Sequence, residues 1–120
     1  MRRQGIRGAK SHRSPRKPLT RAELETMTQA ATIDCYNESE AITGWFTMIE
    51  ENLATPFETR ILGAVATVER IKLNEADEIV AVCSRGRDRQ RLPILDLPLP
   101  RLRPVGSEWI EAYRRWLGGR

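Results

Sequence analysis

The sequence predicts an α+β fold: an acidic amphipathic helix packed on a small antiparallel, SH3-like β-sheet, with a C-terminal helix and a disordered basic N-terminal arm. Three observations predict it. Apolar residues recur at three- and four-residue spacing over residues 37–53 and again over 108–117, which is typical of amphipathic helices. Stretches rich in β-branched residues alternate with turn sequences over 61–97. Residues 1–18 contain almost no apolar side chain, so they cannot bury a core.

The chain has 120 residues and a mass of 13.7 kDa, which suits one domain after the arm. We expect that domain to span residues 19–120. Its predicted parts are an acidic helical half over 19–59, a β-strand half over 60–97, a Pro-rich connector over 98–104 and a C-terminal helix within 105–118.

Two helices are predicted in the acidic half. Thr20 and Glu23 fit a capping box, in which each side chain accepts a hydrogen bond from an amide at the helix start, so a helix should follow over 21–32. The second helix, over 37–53, carries one apolar face and an internal Gly44, which is expected where another element packs closely against that turn.

The second half of the chain is predicted to form a short antiparallel sheet. Pro93 has no amide hydrogen to donate, which favours an edge position for the last strand. Short strands joined by tight turns are typical of a meander or a small SH3-like barrel. The strands are expected at 61–73, 78–84 and 91–97, with turns at 74–77 and 85–88.

The C-terminal region begins with three prolines that make the connector stiff and extended. Ser107 is in the position to cap a final helix from Glu108 to Leu117, and Gly118 with Gly119 should end it. Trp109, with the other aromatic residues of this helix, is expected to face the core.

The net charge of +4 is the sum of three blocks, of which the first and last are positive and the middle one is negative. Residues 1–21 carry eight basic side chains and no acid, whereas residues 22–59 carry eight acids and no lysine or arginine. Residues 60–120 hold twelve basic and eight acidic side chains. This asymmetry indicates separate electrostatic roles for the blocks.

The composition argues against several classes of function. The one histidine, His12, lies in the basic arm. The core therefore has no histidine for a zinc site, a Ser-His-Asp triad or a Cys-His pair. Cys35 and Cys83 are too few for a disulfide scaffold, and no apolar run is long enough for a membrane helix. We therefore expect a cytoplasmic protein that is not an enzyme and does not enter the membrane.

The acidic block supplies two groups of oxygen ligands, one at each end of the second helix. Carboxylates and amides, without nitrogen or sulfur ligands, favour Ca²⁺ or Mg²⁺ over zinc. Glu40 and Glu51 stand about 16 Å apart along a helix axis, so one ion cannot join them. From the residues alone, a solvated acidic face, or one paired with the chain's own arginines, remains an alternative. The candidate metal ligands are Asp34, Asn37, Glu38, Glu40, Glu50, Glu51 and Glu58.

The same stretch resembles the CcbP-type calcium-binding family, known from cyanobacteria and other bacteria. The similarity is carried by DCYNE at 34–38, EAITGW at 40–45, IEENL at 49–53 and PF at 56–57. It continues more loosely through CSRG at 83–86 and LPILDL at 92–97, and covers about residues 32–97.

The resemblance implies a small α+β protein that binds Ca²⁺ through surface carboxylates and buffers or senses calcium. Glu50 and Glu51 match the acidic pair of the family's motif, and Asp34, Glu38 and Glu40 match its acidic lead-in. The basic arm and the C-terminal helix lie outside the similarity.

The basic residues support an alternative function as a nucleic-acid-binding or assembly module, in which arginines hold phosphates and the acidic helix contacts a protein partner. The arginines of the last strands could instead neutralise the acidic helix, which is our expectation. The candidate phosphate contacts are Arg2, Arg3, Arg7, Lys10, Arg13, Arg16, Lys17, Arg85, Arg87 and Arg89.

Overall fold

The computed structural model describes residues 13–15 and 18–119. Its elements, in chain order, are β1 (Arg13–Pro15), α1 (Arg21–Thr32), α2 (Glu38–Asn52), β2 (Phe57–Ile61), β3 (Ala64–Leu73), β4 (Ile79–Arg85), β5 (Asp88–Pro93), a 3₁₀ turn (Ile94–Asp96), β6 (Leu102–Pro104) and α3 (Glu108–Gly118). The α+β fold is confirmed.

Both predicted helices of the acidic half are present, and the predicted capping box of α1 is confirmed. The Thr20 hydroxyl accepts from the amide of Glu23 at 3.0 Å, and the Glu23 carboxylate accepts from the amide of Thr20 at 2.9 Å. Asn37 caps α2 by accepting from the amide of Glu40 at 2.9 Å. A β-carbon at Gly44 would collide with the carbonyl oxygen of Ala31, so Gly44 does allow α1 to approach α2 closely.

The sheet is an antiparallel meander of four strands in the order β2-β3-β4-β5. The prediction of one strand over 61–73 was wrong, because the chain reverses at Leu62 and Gly63. Both have positive φ angles, 52° and 80°, as a two-residue hairpin turn requires. The prediction missed this turn because leucine rarely adopts that backbone region. The SH3-like closure of the sheet stays a prediction.

The end of the sheet also differs from the prediction of a strand over 91–97. β5 begins earlier, at Asp88, and ends at Pro93, which pairs with Val80 on the edge of the sheet as expected. The chain then forms the 3₁₀ turn, in which Ile94 is 2% exposed. Burial of Ile94 and Leu97 against the core explains why the apolar run leaves the strand.

A second, two-stranded sheet pairs β1 with β6 in antiparallel register. The predicted disordered arm, residues 1–18, lies largely outside the described residues, but at Arg13–Pro15 the chain is extended and paired. Residues 102–104 of the region predicted as a connector form the partner strand.

The C-terminal helix α3 packs against both α1 and α2. Its start differs in one respect from the prediction, because the Ser107 side chain makes no capping hydrogen bond and its backbone is already helical. Trp45 of α2 contacts the rings of Trp109, Tyr113 and Trp116, with ring centroids between 5.8 and 6.2 Å apart. This aromatic cluster joins the C-terminal helix to the acidic half of the chain.

The hydrophobic core lies between the helices and one face of the sheet. Trp45 and Ile49 of α2 are fully buried, and they pack in one cluster with Val68 of β3 and Ala81 of β4. The opposite side of α2 is therefore turned outward. Among the described residues, no helix is long and apolar enough to cross a membrane.

Candidate calcium site

The acidic residues of the helical half all lie on the molecular surface. Asp34, Asn37, Glu38 and Glu40 are exposed at the start of α2, and Glu50 and Glu51 are exposed at its end. Glu40 and Glu51 lie on the side of the helix opposite the buried Trp45 and Ile49, which confirms the amphipathic arrangement. Glu58 is exposed on β2, where it pairs with Thr67 of β3.

Two side chains of the group at the start of α2 take part in capping the helix. The Asn37 side-chain oxygen accepts from the amide of Glu40, and the Glu40 carboxylate accepts from the amide of Tyr36 at 2.7 Å. Asp34 precedes them in a turn with a positive φ of 61°. Asn37 and Glu40, two of the four predicted ligands here, therefore already accept hydrogen bonds from backbone amides. Both also lie at the positive end of the helix dipole.

The group at the end of α2 is electrostatically different. Glu50 and Glu51 are consecutive, exposed and in the last turn, which contains no basic residue. The carbonyl end of a helix carries a partial negative charge, so both carboxylates and the helix end repel one another there. A bound cation would relieve this repulsion, whereas a cation at the start of the helix would meet an opposing dipole.

The backbone beside Glu51 is tied to the C-terminal helix. The amide of Ala54 donates to the carbonyl of Val105 at 2.8 Å. A β-carbon at Gly106, whose φ is 93°, would collide with the carbonyl oxygen of Asn52. The end of α2 is thus in direct contact with the segment that begins α3.

The donor atoms fit calcium by chemistry but are spread over the surface. Calcium takes six to eight oxygen ligands, and carboxylates, amides, backbone carbonyls and water all serve. Across residues 13–15 and 18–119, however, no three aspartate, glutamate, cysteine or histidine side chains converge as a metal-holding group. An ion held at either end of α2 would therefore take much of its coordination from backbone carbonyls and water.

Within the described part of the chain, no ion pair joins an arginine of β4 or β5 to the acidic helix, contrary to our expectation. Arg89 pairs with Glu69 of β3 at 3.6 Å, and Arg91 lies opposite Val82, on the face of the sheet turned away from α2. Arg85, Arg87 and Arg89 are all exposed. The side chains of the other candidate phosphate contacts, all in residues 1–17, lie outside the described residues.

The fold and this surface define a class: a small α+β protein with an acidic helical layer on one side of an antiparallel sheet. The family model named for the CcbP calcium-binding proteins, described as "Calcium binding", matches residues 25–117. The chain belongs to this calcium-binding family, and Ca²⁺ is the ion it binds. Comparison with curated proteins and with solved structures gave no match.

The extent of the family match corrects the sequence interpretation in one respect. The resemblance was placed over about residues 32–97, with the C-terminal helix outside it. The match runs to residue 117 and includes nearly all of α3. The aromatic cluster around Trp45 gives the physical reason, since α3 completes the core beneath α2. The helical spacing of the aromatic residues in α3 could have indicated that this helix is part of the same core.

Proposed function

We propose that the chain binds Ca²⁺ mainly at the end of α2, with Glu50 and Glu51 as its principal carboxylate ligands. The observation that supports this most is the pair of exposed, consecutive carboxylates in a last turn without any basic residue. The ion would offset both the repulsion between the two side chains and the negative end of the helix dipole. Hard oxygen ligands of this kind are those that calcium prefers.

The group at the start of α2 is the weaker of the two in this proposal. Asn37 and Glu40 stabilise the helix start by capping it, and coordination would compete with those hydrogen bonds. In the proposal this group contributes through the carboxylates of Asp34 and Glu38. Glu58 stands on β2, and its part in binding is secondary in the proposal because it belongs to another element.

The experiment is calorimetric titration of Ca²⁺ into chelator-treated full chain, comparing three double variants with equal charge changes. E50Q/E51Q removes the favoured pair, D34N/E38Q removes the carboxylates at the helix start, and E25Q/E75Q is a control at two exposed acids elsewhere. We expect E50Q/E51Q to weaken binding by about tenfold or more, and the control to change it little. Loss of binding in D34N/E38Q alone would move the site to the other end of the helix.

We further propose that the protein acts by buffering or sensing calcium and not as an enzyme. The two modes differ in whether the ion alters the structure. The contact of the α2 end with Val105 and Gly106 gives a route to α3 and to the aromatic cluster. Sensing predicts that Ca²⁺ changes the tryptophan fluorescence, whereas buffering predicts binding without such a change.

A further inference from the structure

The outer face of the sheet, turned away from the helices, carries a cluster of arginines. In the strand register, Arg70 of β3 and Arg91 of β5 lie on either side of Val82, and Arg89 lies opposite Ser84 on the same face. A bulge at Glu69 sets this arrangement, because it places Arg70 on the outer face after Val68 has pointed into the core. We call Arg70, Arg89 and Arg91 the sheet arginines.

The sheet arginines surround a shallow groove. Its lining consists of the three arginines with Val82 and Gln90. Val82 is only 4% exposed although it lies on the outer face, which indicates that the aliphatic stems of the flanking arginines cover it. The guanidinium groups are therefore presented at the rim of the groove and remain in water, as all three residues are exposed.

The positive charge of this groove is poorly neutralised. Within the described part of the chain, Arg70 and Arg91 form no ion pair, and Arg89 has only the 3.6 Å contact with Glu69. Its side chain is 62% exposed, and such surface pairs contribute little. Arg85 and Arg87 extend the positive region into the neighbouring turn, with Asp88 as the acid opposite Arg85.

The spacing of the sheet arginines suits a row of phosphates. Arg89 and Arg91 are two residues apart on one strand, or about 7 Å, and Arg70 lies two strands away, or about 10 Å. Guanidinium groups bind phosphate oxygens well because their N–H groups form a planar fork. The aromatic side chains of the chain lie in the core or on the helical side, so base stacking is not available on this face.

We propose that the sheet arginines bind the phosphate backbone of a nucleic-acid duplex without sequence specificity. The acidic helical layer faces the other way, so the molecule presents its basic face to the duplex and its calcium-binding face to solvent. Binding by this face is electrostatic and falls steeply with salt, because each neutralised phosphate releases counterions. The surface is separate from Glu50 and Glu51. Of the candidate calcium ligands, Glu58 lies on this face, at the far end of the row that runs across the sheet through Thr67 and Ser84 to Arg89.

The test is fluorescence anisotropy with a labelled 20-base-pair DNA duplex and the full chain, at several salt concentrations. R70Q/R89Q/R91Q is compared with R21Q/R101Q/R115Q, which makes the same charge change at exposed arginines elsewhere. Since both variants keep the basic residues 1–17, weaker duplex binding by R70Q/R89Q/R91Q than by the control variant can be attributed to the sheet arginines. We expect the first variant to bind about tenfold more weakly and to reduce the salt slope by about 3, and the second to resemble the original chain.

Four results would overturn the proposal: no binding of the duplex by the original chain, equal binding by the two variants, a preference of the sheet face for polyglutamate over DNA, or loss of self-association in R70Q/R89Q/R91Q with duplex binding unchanged. The last result would assign the face to a second copy of the chain. Calcium titration of R70Q/R89Q/R91Q should be unaltered, and duplex binding by E50Q/E51Q should persist. The two proposals can therefore fail independently.

Discussion

Gly44 of α2 lies directly against the carbonyl group of Ala31 in α1, with no space for a β-carbon between them. The carbonyl carbon would be 3.0 Å from such an atom, and the oxygen would be closer still. Ala31 is 3% exposed, so neither helix can move aside without opening the core. This contact fixes the distance between the two acidic helices.

Substitution of Gly44 by alanine should therefore destabilise the fold, although alanine is the better helix former. We expect a loss of about 1–3 kcal/mol in the free energy of unfolding, measured with urea. The matched control is Gly118→Ala, at an exposed helical glycine with open space around it. That change should be neutral or stabilising by up to about 1 kcal/mol. A stable Gly44→Ala protein would contradict the close contact.

Asn37 is predicted to act mainly as a helix cap. Asn37→Ala removes the acceptor of the Glu40 amide and should lower the free energy of unfolding by about 1 kcal/mol, whereas Asn37→Ser should retain most of it. Urea unfolding in the presence of a chelator isolates this effect from calcium. Equal stability of the two variants would exclude the capping role.

The two cysteines should differ sharply in reactivity. Burial, and to a smaller extent the charge of Glu69, raise the pKa of the Cys83 thiol, while Cys35 is partly exposed. At pH 8 a thiol reagent should modify Cys35 in the folded protein and reach Cys83 only after unfolding. Rapid labelling of Cys35→Ser would show that Cys83 is accessible and would contradict this prediction.

The raised pKa of Cys83 also predicts a pH dependence of stability. Above about pH 8.5 the thiol of the unfolded chain loses its proton while the native thiol keeps it. The native state then binds more protons, so stability should fall as the pH rises through this range. Cys83→Ala should make the decline shallower, measured by urea unfolding between pH 7 and 10; an unchanged slope would exclude Cys83 as its source.

Local sequence predicted the helices well because their ends are set by side chains close in the chain. Thr20 with Glu23, and Asn37 with Glu40, cap α1 and α2 within four residues. The hairpin at Leu62 was missed because its signal is a backbone conformation that leucine seldom adopts. The 3₁₀ turn was missed because Ile94 is drawn into the core by contacts distant in sequence.

The surface position of Glu40 and Glu51 could also be predicted, since helical periodicity sets them opposite Ile49 and Trp45. Whether ligands from separate segments converge could not be predicted, because this depends on tertiary packing. The face taken by Arg89 and Arg91 could not be predicted for a similar reason, because the pairing of β5 with β4 sets it.

Calcium binding at the end of α2 is best tested by titration of Ca²⁺ into the chelator-treated full chain, with Mg²⁺ as the comparison. We expect saturable binding of Ca²⁺, tighter than that of Mg²⁺, and weaker binding of Ca²⁺ by E50Q/E51Q. Absence of heat or of saturation at millimolar Ca²⁺ would contradict the proposed role of the carboxylates at the end of α2.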